Sequence, residues 1–116
     1  MKVAIIGSRD FNDYALVQKT LDPVKEKITL IVSGGAKGAD SLGDKYAKEN
    51  GIPTQIFIPD WETNGKSAGY IRNRDIVSNS DIVIAFWDGQ SKGTQHSFKL
   101  AAELNKPIRI IKYNEL

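Results

Sequence analysis

The chain has no cysteine, which excludes disulfides, thiolate metal sites and cysteine nucleophiles and makes a reducing compartment, the cytoplasm, the expected one. Long apolar runs are missing too. The opening run at residues 3–6 is far shorter than a signal-peptide core, and no stretch approaches the length needed to span a bilayer, so neither secretion nor membrane insertion is expected. Excess charge is also lacking: the formal net charge of +2 favours solubility but is little for a protein that lives on nucleic-acid phosphates. There is one histidine, His96. With no cysteine, and no serine and carboxylate set beside it as a triad requires, His96 reads as a helix-start residue rather than a general base. Repeats, low-complexity segments and linkers are absent, and no metal-ligand set is assigned. What remains is 116 residues with 41% hydrophobic and 26% charged side chains, the composition of one globular domain spanning 1–116.

Five short apolar runs rich in valine and isoleucine lie at 3–6, 28–32, 55–58, 82–86 and 108–111. Their length and weak polar alternation predict strands covered on both faces of a parallel sheet. Between them the spacing predicts helices. The first, over 14–24, carries Leu16, Val17, Thr20, Leu21 and Val24 on one stripe, with Pro23 ending or distorting its last turn. The second, over 39–49, groups Leu42, Tyr46 and Ala47 and stops at Asn50-Gly51. The third, over 67–78, has the least regular pattern, with Tyr70, Ile71, Asp75 and Val77, and the fourth, over 94–104, carries Phe98, Ala101, Ala102 and Leu104. Strict alternation of strand and helix, joined by right-handed crossovers, predicts an α/β fold: a Rossmann-like doubly wound parallel five-stranded sheet of order 3-2-1-4-5 with helices on both faces. In that order the winding reverses between strands one and four, and ligands of such sheets bind at the crevice there. The loops at 7–11, 33–40 and 87–94 then converge on one edge, and the irregular piece at 59–66 becomes a lid or rim.

These loops hold the chemistry. Ser33-Gly34-Gly35-Ala36-Lys37-Gly38-Ala39-Asp40 follows a strand and opens a helix, where unpaired N–H groups and the positive end of the helix dipole suit an anion and Lys37 adds a mobile counter-charge. It is neither a Walker A motif nor GxGxxG. Its glycines serve a tight turn or a phosphate, and Asp40 either caps the helix or contacts a ligand group such as a ribose hydroxyl. Gly7-Ser8-Arg9-Asp10-Phe11 offers close main-chain approach, a hydroxyl and the bidentate fork of Arg9. Asp88, Gly93 and Thr94 repeat the glycine-plus-hydroxyl chemistry before the fourth helix. Arg72 and Asn73 lie on the third helix, which can reach the same edge, while Trp61 and Trp87 either pack or stack on a base.

Gly7-Ser8-Arg9-Asp10-Phe11, the 33–40 loop, Ala68-Gly69-Tyr70-Ile71-Arg72-Asn73 and Gly93-Thr94 together resemble the YspA-related branch of the SLOG superfamily over nearly the whole chain. The superfamily joins the DNA-processing protein DprA with the LOG phosphoribohydrolases that release cytokinins. The resemblance implies a Rossmann-like domain that binds a nucleotide or nucleotide-derived molecule, such as an ADP-ribose-like or cyclic nucleotide signal, as sensor or sequestering protein. That molecule is the cofactor-type ligand and partner expected. Single-stranded DNA binding is disfavoured by the charge, and a homo-oligomer is compatible because SLOG-type domains often pair. LOG enzymes carry Pro-Gly-Gly-x-Gly-Thr-x-x-Glu with a catalytic glutamate, plus an arginine on the preceding helix. Here Gly93-Thr94 and Arg72 match, but Ser97 stands at the glutamate's position, so the resemblance supplies no evident acid for a phosphoribohydrolase; Asp88 or Asp40 is the substitute acid on offer, and Arg72 and Asp88 are the catalytic candidates.

Overall fold

The computed structural model describes residues 1–113, so the last three residues of the expected 1–116 domain lie outside the described ones. Five parallel strands, β1 (Lys2–Gly7), β2 (Leu30–Ser33), β3 (Thr54–Ile56), β4 (Ile82–Trp87) and β5 (Ile108–Lys112), form a sheet of order β3-β2-β1-β4-β5, as the alternation predicts. Helices α1 (Tyr14–Leu21), α2 (Ala39–Glu49), α3 (Trp61–Asn64), α4 (Ala68–Ser78) and α5 (Lys92–Glu103) complete the chain. β1 is central and pairs with both β2 and β4, so its Val3 to Ile6 run is buried on both faces. Because side chains alternate along a strand, Val3 and Ile5 join the core beneath α1 and α2, with Val17, Leu21 and Tyr46. Ala4 and Ile6 join the opposite core beneath α4 and α5, with Ile76, Val77, Leu100 and Ala101. The sheet is thus wound on both faces. Among the described residues no helix is long and apolar enough to cross a membrane.

The elements depart from the sequence expectations in physically readable ways. α1 stops at Leu21, and the chain continues as a 3-10 turn, Asp22–Lys27, with Pro23 at its start, where a missing N–H is harmless. That turn holds Ile28 outside β2, whose ladder begins at Leu30. β3 ends at Ile56, leaving Ile58 largely exposed. The edge strands are less covered than the central ones: β3 is exposed throughout, and on β5 only Ile108 and Ile111 are half-buried, one against each core, since both strands lie at the margins of the sheet. The segment at 59–66 is not wholly irregular, since Asp60 caps the single turn α3 by accepting from the Thr63 N–H at 3.1 Å. On α4, Tyr70, Ile71 and Asp75 face outward, and Ala68, Ile76 and Val77 form the buried side.

The sequence places Phe11 at the ligand, but it is 2% exposed, with its ring stacked on Phe86 at 4.8 Å and tilted against Tyr113 at 4.6 Å. Its side chain belongs to the core. Phe11→Ala is therefore expected to lower unfolding free energy by about 3–4 kcal/mol through lost burial and a cavity, read from denaturant midpoints. A variant of unchanged stability would refute this placement.

Candidate functional site

The carboxyl ends of β1, β2 and β4 meet where the winding reverses, and the loops that leave them enclose a recess of about 100 Å³. Its floor is the end of β1, at Ile6 and Gly7, and its walls come from the starts of α2 and α5 and from one face of α4. Eight residues singled out by sequence line it: Gly7, Arg9, Ala36, Asp40, Arg72, Asn73, Gly93 and Thr94. An outer groove of about 450 Å³ continues from it past Gly34, Gly35, Ile58, Trp61, Lys66 and Tyr70. Trp61 and Tyr70 are 58% and 59% exposed there, an aromatic surface left open to a flat partner.

Asp40 organises the 33–40 loop. Its Oδ2 accepts from the Gly34 N–H at 3.0 Å and the Ala36 N–H at 3.3 Å, closing the loop upon its own helix start. Two donors that sequence offered to a phosphate are thereby occupied. Burial is the main cause that pushes the Asp40 carboxyl up to about 6. The Ala36 N–H, Arg72 and the Gly34 N–H oppose this rise, and Asp44 adds to it. Arg72 lies against the same loop, donating from Nη1 to the Gly34 carbonyl at 2.9 Å and from Nε to Asn73 Oδ1 at 3.1 Å. Gly34 permits this approach, because a Cβ there would run into the guanidinium. Burial lowers the Arg72 pKa, the Asp40 charge opposes that fall, and nearby Arg9 adds to it. Asn73 in turn donates to the Gly93 carbonyl at 3.5 Å and faces His96 Nδ1 at 3.4 Å, tying α4 to the first turns of α5.

The start of α5 is built differently. Asp88 Oδ1 accepts from the N–H groups of Gln90 and Ser91, both at 2.8 Å, and these bonds hold its carboxyl below the usual range. Asp88 therefore shapes the turn into the helix. Ser91, at the cap position, makes no side-chain capping bond; its hydroxyl pairs with Thr94 Oγ1 at 3.2 Å. The first turn of α5, whose cap residue makes no side-chain capping bond, thus borders the recess through Ser91, Gly93 and Thr94, beside Arg9 and Arg72.

Other expected residues hold these loops in place. Ser8 is 2% exposed; its Oγ accepts from the Asp88 N–H at 3.0 Å and its carbonyl accepts from Phe11 and Ala39, so it clasps three loops together. Ser33 is buried in the sheet, where its carbonyl accepts from the Phe57 N–H at 2.9 Å. Lys37 is exposed outside the recess lining, and Gly38 packs its backbone on Ser8 and Arg9. Trp87 is a packing residue, edge-on to Phe98 at 5.1 Å with its Nε1 donating to the Ser91 carbonyl. Sequence reasoning passed over Ile76 and Ser91 as recess walls and met Ser97 only as the residue at the glutamate's position. Helical spacing was the available signal, since Ile76 is one turn beyond Arg72 and Ser97 one turn beyond Thr94. Among the described residues, no three His, Asp or Glu side chains group to hold a metal ion.

A profile of the YspA, cpYpsA-related SLOG family matches residues 1–63. The gene 61 protein of Mycobacterium phage D29 is 33% identical over 116 residues, covering 92% of this chain and 93% of that one. DNA processing protein A of Helicobacter pylori, described for its single-stranded DNA binding mode, superposes with a TM-score of 0.74 at 29% identity over 99% of this chain and 67% of its own. DprA of Streptococcus pneumoniae gives a TM-score of 0.75 at 24% identity over 94% of this chain, which spans 49% of that one. The structure of TM1055 gives 0.68 at 22% identity, covering 92% and 71% of the two chains. These last two likenesses speak for the fold.

Proposed function

The chain belongs to the YspA, cpYpsA-related SLOG family, and from that premise we propose that its recess binds a phosphorylated nucleotide or nucleotide-derived small molecule, as a sensing or sequestering module. One observation carries the reading: the uncapped first turn of α5 opens into the same recess as Arg9 and Arg72. Backbone N–H groups at a helix start, with two guanidinium groups beside them, suit a phosphate. The recess has the scale of a phosphate and part of a sugar, and the outer groove leaves room for a base against Trp61 or Tyr70. The phosphate thus goes to α5 rather than to the 33–40 loop, where Asp40 already holds two donors.

The reading favours binding over turnover. Ser97, in place of the LOG glutamate, lines the recess with a hydroxyl that donates to the Gly93 carbonyl at 3.5 Å, and Asp88 is engaged in the α5 turn. The test is a thermal-shift and calorimetric screen with nucleoside mono- and diphosphates, cyclic nucleotides and ADP-ribose. Arg9→Ala, at an exposed position, is expected to weaken the best ligand about 10- to 100-fold, the worth of one charge-assisted hydrogen-bonding group. Its melting temperature without ligand should stay within about 2 °C of the parent, as for surface substitutions. No shift from any nucleotide would overturn the proposal.

Likeness to Helicobacter pylori DprA favours a second reading, single-stranded DNA binding, which the low net charge alone argued against. It predicts an affinity for oligonucleotides that falls steeply with salt and is lost in Arg9→Ala. A salt-insensitive or absent gel shift removes it.

A further inference from the structure

Resting on the nucleotide-binding reading above, we infer that Asp40 is a specificity-determining residue that accepts a hydrogen bond from a ribose hydroxyl, so the site takes ribonucleotides in preference to deoxynucleotides. The two oxygens of this carboxylate are used unequally. Oδ2 is committed to the Gly34 and Ala36 N–H groups, whereas Oδ1 takes no hydrogen bond from the described residues. Oδ1 is not sealed in the core either, for Asp44 Oδ1 is the buried side-chain atom without a partner among the described residues. Asp40 is only 6% exposed and lines the recess, so its open oxygen is reached from there.

The chemistry of the surroundings selects the donor. A phosphate at this position is repelled by the carboxylate, and a cation is opposed by Arg72 and Arg9 nearby. A neutral hydroxyl is opposed by neither. With the phosphate at the start of α5 and the base in the groove of Trp61, the neutral donors between them are those of the sugar. Asp40 thereby also orients the ligand, phosphate towards α5 and sugar towards α2. An acceptor left without its hydroxyl penalises the deoxy analogue, and this asymmetry is what lets polar sites discriminate strongly.

The experiment is calorimetry on the whole chain with the four ribonucleoside 5′-monophosphates and their 2′-deoxy and 3′-deoxy counterparts. The tightest ribonucleotide is expected to bind at least about tenfold better than one of its deoxy analogues, the scale of one buried hydrogen bond to a charged group. In Asp40→Asn the ratio should fall below about threefold, because the amide oxygen can keep both loop bonds while an NH₂ replaces the open acceptor. The parent's ratio should also shrink as pH falls below about 6 and Asp40 takes up a proton, whereas the variant's stays flat. Arg72 on α4, Arg9 after β1 and Asp44 on α2 are the charged groups around Asp40, and the substitution leaves all three side chains in place. Equal binding of ribo and deoxy forms by the parent, or an undiminished ratio in Asp40→Asn, overturns the inference while leaving nucleotide binding intact. Absence of binding by every mononucleotide overturns the inference, and together with a blank screen of nucleoside diphosphates, cyclic nucleotides and ADP-ribose it overturns both; preference for the deoxy forms overturns it in favour of the DNA reading.

Discussion

Gly38→Ala is expected to lower unfolding free energy by about 3–5 kcal/mol, a large share of the total for a domain of this size. Gly38 caps α2 at φ 79 and ψ −127, a conformation L side chains rarely adopt. A Cβ there would also meet the Ser8 carbonyl and the Arg9 backbone, which cannot swing aside as a side-chain tip can. Strain and overpacking therefore add. Ser8 is the clasp between the loops after β1 and β4, so displacement would spread into the recess and ligand binding should fall with stability. Gly51 is the internal comparison, with φ 65 and open space for 4 Å around the point where a Cβ would stand. Gly51→Ala should cost only about 1 kcal/mol, the conformational part alone. Denaturant unfolding of both variants checks this, and equal losses would show that close approach at Gly38 is not what requires glycine.

Asp40→Asn should stabilise the protein by about 3 kcal/mol at pH 8, the free energy of a pKa raised from 3.8 to about 6. Between about pH 4 and 6 the folded chain holds a proton on Asp40 that the unfolded chain has released. Raising the pH through that window therefore destabilises the parent, and the penalty is complete above about pH 7. The favourable field of Arg72 is already contained in that pKa, so the net burden is the burial of the charge. Asparagine carries no charge and can accept the same two N–H groups, so the gap between variant and parent should close below about pH 4. Melting curves from pH 3.5 to 8 would measure this. A gap independent of pH would mean that packing, not ionisation, separates the two. An ionised Asp40 that burdens the fold while lining a recess is what the proposed binding role leads one to expect.

The strand order and the winding on both faces follow from local pattern and general rules. Five valine- and isoleucine-rich runs, each too short for a helix and separated by helical spacing, leave few topologies once crossovers are right-handed. The site was legible in part for the same reason, since that order carries the loops of Gly7, Gly34 and Gly93 to one edge. The outward turn of Tyr70 and Ile71 was not legible, because α4 has little amphipathic pattern and its buried side depends on how it lies against α5. Nor were the separate fates of Phe11 and Arg9, two residues apart on one loop, of which one stacks on Phe86 and the other lines the recess.

By itself, then, the sequence determined the alternation of elements, the order of the sheet and the edge at which the three glycine-bearing loops gather, because these depend on periodicity and chain connectivity. Only the tertiary structure decided which helix start has its loop N–H groups taken up by its own carboxylate. Both α2 and α5 begin in glycine-bearing loops after buried strands. At α2 the chain folds its own carboxylate back onto two loop N–H groups and buries it against Arg72, while at α5 the Asp88 carboxylate accepts from Gln90 and Ser91 in the turn, and Ser91, Gly93 and Thr94 line the recess. Hydrogen-bond partners and burial are set by residues distant in sequence, and on them rests the proposal that a phosphate goes to one loop and a sugar to the other.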